Sequence, residues 1–324
     1  MSLSIRIERQ GGTEVMQLVE EKVGAPGAGQ LRVRHRAIGL NFIDIYHRSG
    51  VYKVSLPGGL GSEAAGVVTA VGPGVSGFAA GDRIAYAGGP LGAYSEERLL
   101  PAVNAVKLPD GVSEESAAAL MLKGMTAWYL LHLSFPVRPG DTVLVHAAAG
   151  GVGSILVPWA KHLGAVVIGT AGSPDKAEAA RQAGCDHVIP YREQDFAAEV
   201  RRLTEGRGVD VVYDSVGKDT FAGSLDSLRR RGTLVSFGNA SGKVPPFEPV
   251  LLAEKGSLFL TRPRLADYTA TREELDTAAG GLFQALSRGV IKADIGQRYP
   301  LREVARAHAE LEARKTRGAS LLLP

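Results

Sequence analysis

Residues 146–155 read "HAAAGGVGSI", a glycine-spaced turn between the apolar run "TVLVHA" (142–147) and a stretch suited to a helix. Against the pattern G-x-G-x-x-G, Ala148 takes the first position, and Gly150 and Gly153 take the other two. In a strand–turn–helix setting the three positions serve a tight turn, a close approach of backbone to an anion, and close packing of helix on strand. Ala148 can serve the first if its φ stays negative.

The surrounding rhythm decides what the turn is. Further strand-like runs follow at 165–171 (AVVIGTA), 187–191 (HVIPY), 209–216 (VDVVYDSV), 232–238 (GTLVSFG) and 256–262 (GSLFLTR), with helical stretches rich in Ala, Arg, Glu and Leu between the first five. Apolar strands alternating with helices predict a doubly wound parallel sheet, so the fold class is α/β with a Rossmann domain. In that setting the turn is a dinucleotide site: the amides of Gly151 and Val152 point at a pyrophosphate, assisted by the helix dipole. An NAD site usually carries Asp or Glu at the end of the second strand. Here that turn reads "TAGSPDK" (170–176), with Ala171, Gly172 and Ser173 in place of the carboxylate and Lys176 close behind. A small, polar, cationic pocket predicts NADPH over NADH. Asp175, beside that lysine, reads as a surface residue.

Residues 1 to about 110 have another texture. "QLRVRHRAI" (30–38) alternates with period two, and residues 66–86 hold two strand-like runs among Gly72, Gly74, Gly77 and Gly81, which predicts a β-rich, barrel-like half. Alternation puts Arg32, Arg34 and Arg36 on one strand face, read as solvated. A helical region opens after Ser113, a fitting N-cap, with Glu114 and Glu115 at the positive end of the dipole. Beyond Arg262 come a helix over roughly 271–288, "LREVARAHAELEARK" and a last strand "ASLLLP", a tail expected to pack back on the first half.

Composition narrows the function. With 37 basic and 34 acidic residues the net charge is only +3, which gives no general attraction to nucleic acid or membrane. The single cysteine, Cys185, excludes an internal disulfide and any multi-cysteine zinc site. The start "MSLSIRIERQ" lacks an apolar signal core and no apolar run approaches the ~18 residues that span a bilayer, so a cytoplasmic setting is expected. His146, ending its strand among apolar residues, reads as a core histidine. "RRR" at 229–231 reads as a helix C-terminus favoured by cations.

The stretches "AIGLNFIDIYHRSGVY" (37–52), "GLGSEAAGVV" (59–68), "GDTVLVHAAAGGVG" (140–153), "VVYDSVG" (211–217), "LVSFGNASG" (234–242) and "RGASLLLP" at the end resemble the zeta-crystallin-type quinone oxidoreductases of the medium-chain dehydrogenase/reductase superfamily. The resemblance spans essentially the whole chain. It implies a GroES-like catalytic domain over 1–125, completed by 263–324, and a Rossmann NADPH-binding domain over 126–262. It also implies a homodimer. Where alcohol dehydrogenases of the superfamily carry zinc ligands, this chain has Asn41 and Ser62, Cys185 lies in the other half, and no H-x-x-x-H occurs, so no metal is expected. A carbonyl becoming an alkoxide needs a Lewis acid or a strong proton donor. A quinone or an activated alkene spreads the arriving charge, and ordinary hydrogen-bond donors suffice. One departure from the family pattern is Pro158 in the first Rossmann helix, expected to kink it at a cost near ~3 kcal/mol.

By the same resemblance Asn41, Phe42 and Tyr46 meet the nicotinamide, with Tyr52 nearby, and Asn41, Tyr46 and Tyr52 are the candidate catalytic residues, a phenol donating to a quinone oxygen. Thr126 and Tyr129 flank the nicotinamide end. Gly172, Ser173, Lys176, Tyr191 and Arg314 surround the 2′-phosphate, with Arg314 alternatively a surface charge on the terminal helix. Ser215, Phe237, Gly238 and Asn239 sit at or beyond strand ends, and Arg262 ends the sixth strand. The expected activity is NADPH-dependent quinone reduction without zinc, on a small-molecule quinone. An enone or enoyl reductase is the nearest alternative. Single-stranded RNA binding, a second activity among zeta-crystallin relatives, would need a basic groove interleaved with aromatics.

Overall fold

The computed structural model describes residues 1–324, which form two compact units. One comprises Met1–Lys123, Thr269–Phe283 and Ala293–Pro324; the other comprises Gly124–Tyr268 and Gln284–Lys292.

The chain opens with β1 (Ser2–Ile7), β2 (Gln17–Glu21), β3 (Gln30–Leu40), helix α1 (Phe42–Ser49), β4 (Gly58–Gly59), β5 (Glu63–Val71), β6 (Arg83–Ala87), β7 (Glu97–Pro101), β8 (Val106–Lys107) and helix α2 (Glu114–Tyr129). The long strand β3 carries the period-two pattern. Leu31, Val33 and His35 are buried, Arg34 and Arg36 are exposed, and Arg32 and Arg34 pair with Glu97 at 2.5 and 3.6 Å. The Ser113 hydroxyl accepts from the Ser116 amide at the start of α2.

The second stretch supplies β9 (Thr142–Val145), α3 (Gly153–His162), β10 (Val166–Ala171), α4 (Pro174–Gln182), β11 (His187–Pro190), α5 (Phe196–Leu203), β12 (Val209–Asp214), α6 (Phe221–Ser227), β13 (Leu228–Ser236), α7 (Val250–Glu254) and β14 (Phe259–Thr261). These strands form one parallel sheet in the order β11-β10-β9-β12-β13-β14. The order reverses at β9, the switch point where open α/β sheets bind ligands. Leu144, Ile168, Val212 and Leu234 from its central strands pack with Val200 and Leu225 from the helices. Pro158 lies inside α3 without ending it.

The chain closes with α8 (Arg272–Ser287), β15 (Ile295–Pro300), α9 (Val304–Glu312) and β16 (Ala319–Leu323). Strand β16 pairs antiparallel with β3, Ser320 opposite Leu40, and so completes the seven-stranded sheet of the first unit.

Two readings from the sequence are corrected. Arg229–Arg231 are not a helix C-terminus: α6 stops at Ser227, and the arginines belong to β13, with Arg231 in a left-handed bulge at φ 58°. A run of cations suits either place, and the strand won because Leu228 and Val235 are buried beside β12. Arg314 is not on the terminal helix. Helix α9 ends at Glu312, and Arg314 is two residues beyond it, at φ 58°.

A buried polar chain joins α1 to α9. Tyr94 Oη donates to Asp44 Oδ2 (3.0 Å) and meets His308 Nε2 (3.0 Å), while Arg48 Nη1 meets His308 Nδ1 (3.3 Å) and Arg48 Nη2 reaches Glu312 (2.7 Å). A guanidinium can only donate, so His308 Nδ1 accepts and its Nε2–H donates to Tyr94. Burial, helped by the Arg48 charge, pushes His308 down to about 3, so it stays neutral when folded. The unfolded histidine takes a proton below about 6.5. Stability from this site is therefore complete above pH 6.5 and is lost as pH falls. In urea titrations the stability advantage of the parent over His308→Gln should shrink by ~1.4 kcal/mol per pH unit between pH 6.5 and about 4; a constant gap would mean that His308 is charged in the fold.

Candidate active site

The turn after β9 is built by two close approaches. A Cβ on Gly153 would stand 2.4 Å from the Ala147 carbonyl oxygen and 2.7 Å from that of Ala148, so only glycine lets α3 start against this strand end. A Cβ on Gly169 of β10 would lie 2.8 Å from Ala148 Cβ, so glycine there makes room for the alanine that replaces the first motif glycine. The left-handed conformation falls on Ala147 (φ 50°), and Ala148 is spared it, as the sequence reading requires. Gly150 N bonds to Ala147 O (2.7 Å) and Ser154 N to Gly150 O (2.8 Å); neither bond uses the amides of Gly151 and Val152 at the mouth of α3. These are the orphan donors of a helix start, where anions are favoured.

Beyond β10 the chain turns into α4. Ser173 is the N-cap, its hydroxyl accepting from the Lys176 amide, and Pro174 takes the first helical position. Lys176 stands in the first turn, where the dipole disfavours a cation unless an anion shares the place. Asp175 precedes it in the same turn. A Cβ on Gly172 would meet Tyr191 Oη at 3.0 Å, so the glycine holds open a small space walled by a phenol. The structure thus brings Gly172 against Tyr191 and Ser173 against the amide of Lys176, with Ala171, Gly172 and Ser173 in place of a carboxylate at the strand end.

A second cluster follows β12 and β13. Phe237 N and Gly238 N both bond to Asp214 O, Ala240 N bonds to Ser215 O, and a Cβ on Gly238 would lie 2.3 Å from Ser215 O. Ser215, Phe237, Gly238 and Asn239 therefore form one rim at the carboxyl ends of adjacent strands. Under it, Asp214 accepts from Thr220 and Ser224, and His146 is bonded at both nitrogens, to Thr170 and Ser224 (3.0 Å each). His146 is a satisfied core residue. At a third place Tyr129 stacks on Tyr268 (4.3 Å, 9°), Ser134 donates to the Tyr268 phenol, and burial raises the Tyr129 phenol against the opposing charge of Arg262. Thr126 is buried one turn before Tyr129 on the same helix.

In the first unit Phe42, Tyr46 and Tyr52 form an aromatic run. Tyr46 and Tyr52 meet edge to face at 5.3 Å, and the Tyr52 amide bonds to the Tyr46 carbonyl. Asn41, 4% exposed, precedes α1; its Nδ2 donates to Glu63 Oε2 at 2.7 Å and its backbone N–H donates to Asp44, which fixes the side-chain amide. Ser62 Oγ donates to the other Asp44 oxygen (3.1 Å), and Lys123 Nζ lies 3.7 Å from Glu63. Burial pushes Asp44 up to about 7 against three donated hydrogen bonds, and raises Glu63 against the Lys123 charge. Asn41 and Ser62 are thus committed to two buried carboxylates. The sequence reading missed Asp44, Glu63, Tyr94, Lys123 and His308; charged residues scattered through apolar stretches were the only signal. No group of three or more His, Cys, Asp or Glu side chains is placed to share a metal ion.

A GroES-like β unit with a Rossmann unit is the make-up of the medium-chain dehydrogenase/reductases. Residues 27–110 match the alcohol dehydrogenase GroES-like domain, and residues 151–276 match the zinc-binding dehydrogenase family. The quinone oxidoreductase of Pseudomonas aeruginosa is 52% identical over 325 residues, covering all of both chains. The 2-haloacrylate reductase of a Burkholderia species is 50% identical over 331 residues, covering 100% of this chain and 99% of that one. The crystal structure of Escherichia coli quinone oxidoreductase complexed with NADPH superposes with a TM-score of 0.97 at 50% identity, over 99% of this chain and 100% of that one. The chain belongs to the quinone oxidoreductase family of the medium-chain dehydrogenase/reductases.

Gly153→Ala should lower the thermal midpoint and weaken dinucleotide binding together, since overpacking of this kind costs typically 1–3 kcal/mol. A variant with parental stability and affinity would show that the turn is not held by this contact.

Proposed function

We propose that the chain reduces quinones with NADPH by hydride transfer, without zinc. The observation that carries the cofactor choice is the cradle beyond β10: Ser173 caps α4, Lys176 stands against the dipole, Tyr191 walls the space beside Gly172, and the strand end itself carries no carboxylate to claim a ribose diol. These residues fit a 2′-phosphate. The amides of Gly151 and Val152, with Gly150 beside them, would hold the pyrophosphate. Ser215, Phe237, Gly238 and Asn239 would line the path toward the nicotinamide, with Thr126, Tyr129 and Arg262 at its far side. We place Asn41, Phe42 and Tyr46 against the nicotinamide and Arg314 toward the 2′-phosphate. Residues 1–125 with 263–324 are assigned to the catalytic half, and 126–262 to the cofactor half.

Bound there, NADPH supplies the hydride. A quinone that accepts it also takes a proton and leaves as the hydroquinone. Tyr46 and Tyr52 each present a phenol that can donate to the oxygen on which charge gathers, and their edge-to-face contact holds both rings in place. Asn41 is kept from turning by Glu63. A second reading, reduction of an electron-poor alkene, is favoured by the half-identical 2-haloacrylate reductase and uses the same residues.

No helix is long and apolar enough to cross a membrane. We propose a cytoplasmic homodimer. The edge strand β14 pairs on one side only and leaves Phe259 61% exposed, a surface a second copy could cover. Sedimentation velocity tests this.

Lys176→Ala should raise the Kd for NADPH by roughly tenfold or more while leaving NADH within about twofold, as expected for loss of one charge-assisted contact. Equal losses for both would remove Lys176 from the phosphate site. Stopped-flow NADPH oxidation should be fastest with 1,4-benzoquinone and 9,10-phenanthrenequinone and slower with crotonyl compounds or enals. Tyr52→Phe should lower kcat or raise KM with the quinones. The reverse substrate order would establish the alkene reading, and parental kinetics for the variant would clear Tyr52 of a catalytic role.

A further inference from the structure

The amino ends of the Rossmann strands carry a feature that quinone reduction does not use. The loop before β12, the first residues of β13 and the turn after α7 enclose an open groove of about 550 Å³ lined by Arg201, Arg207, Arg229, Arg230, Arg231 and Lys255. The only carboxylates paired with these six cations are Asp210, shared by Arg207 and Arg229, and Asp226, bonded to Lys255. The excess of four positive charges in one groove exceeds the +3 of the whole chain.

The groove is built, not merely coated. Arg201 spends its guanidinium on main-chain carbonyls, those of Asp226 (2.9 and 2.7 Å), Leu228 (2.7 Å), Gly206 (3.0 Å) and Arg207 (3.1 Å), so it fixes the three walls and leaves its charge unneutralised. Arg229 is held by Asp210 at 2.5 Å and donates to the Arg230 carbonyl, which sets the course of the chain at the next two arginines. Arg230 and Arg231 are exposed. Arg231 is left-handed at φ 58°, where glycine would be easier by about 1 kcal/mol, so the position keeps a cation at a conformational cost.

We propose that this groove binds a compact polyphosphate anion of the triphosphate class. The guanidinium forks of Arg230 and Arg231 match phosphate oxygens, and the unneutralised charge of Arg201 beside them favours a ligand of high charge density over a single carboxylate. No aromatic side chain lines the groove, so nothing there would stack a base. The site lies at the opposite strand ends from the dinucleotide turn. Along β12 alone the six residues Val209–Asp214 separate the two by roughly 17–20 Å, so both ligands can be held at once.

The test is calorimetric titration of inorganic tripolyphosphate, and separately of ATP, into protein saturated with NADPH. Tripolyphosphate should bind with a Kd that rises steeply with salt, and ATP should bind within about threefold of it. Arg230→Ala combined with Arg231→Ala should weaken both at least tenfold and leave NADPH affinity and quinone turnover unchanged. Arg231→Gly alone should weaken binding several-fold while raising the thermal midpoint. The proposal is overturned if no binding is seen over NADPH, if the double variant binds as the parent does, or if ATP binds more than tenfold tighter than tripolyphosphate. NADPH saturation is read in the same titrations before either anion is added, so a failure of the cofactor reading is seen separately.

Discussion

The Rossmann half depends on one steric constraint: α3 begins where no side chain fits. With its Cβ position 2.4 Å from the Ala147 carbonyl, residue 153 has to be glycine, and the helix axis is thereby brought against the end of β9. From that contact the rest of the turn follows. The first amides of α3 face outward without intrahelical acceptors, the dipole is aimed at the switch point of the sheet, and Ala147 takes the left-handed conformation that the reversal demands. An alanine at 148 is admitted because Gly169 on the neighbouring strand gives way to it. The motif's missing glycine is thus supplied sideways, one strand over.

The GroES-like half is held by a different device. Helix α1, which carries Phe42 and Tyr46, has few large apolar residues facing the core, and its buried face includes Asp44 and Arg48. Those two are satisfied by Tyr94, Ser62, His308 and Glu312, elements drawn from opposite ends of the sequence. A buried charge left without its partner costs several kcal/mol, so the network fixes α1 in one rotation and one height. The aromatic run on α1 therefore owes its position to polar groups beneath it more than to hydrophobic contact.

Legibility in the sequence tracks the range of the interactions. The six parallel strands and the cap at Ser113 were readable because each rests on residues a few places apart. The cores of the two units announce themselves through periodicity. The Asp44–Tyr94–His308 chain was not readable, since its members are 50 and 214 residues apart and none has a distinctive spacing. Arg229–Arg231 misled because cations suit both a helix end and an exposed strand start, and only the burial of Leu228 and Val235 decides between them. The place of Arg314 turned on where α9 stops, a boundary that composition in "HAELEARK" does not mark.

The chemistry follows from what the buried carboxylates already hold. Glu63, fully buried, accepts from Asn41 Nδ2, from the Leu122 amide (2.6 Å) and faces Lys123, while Asp44 accepts from Ser62, Tyr94 and the Asn41 amide. Asn41 and Ser62 are neutral side chains tied inward to these carboxylates. Neutral donors stabilise developing charge less than a divalent cation does, by several kcal/mol for a localised alkoxide. The deficit shrinks when the acceptor spreads its charge over a ring or a conjugated carbonyl, because each oxygen then carries a fraction of it. The site proposed at Tyr46, Tyr52 and Asn41, with two phenols and a fixed amide, is on that reading matched to electrophiles that need little help, and this is the physical link between the residues under α1 and the proposed quinones.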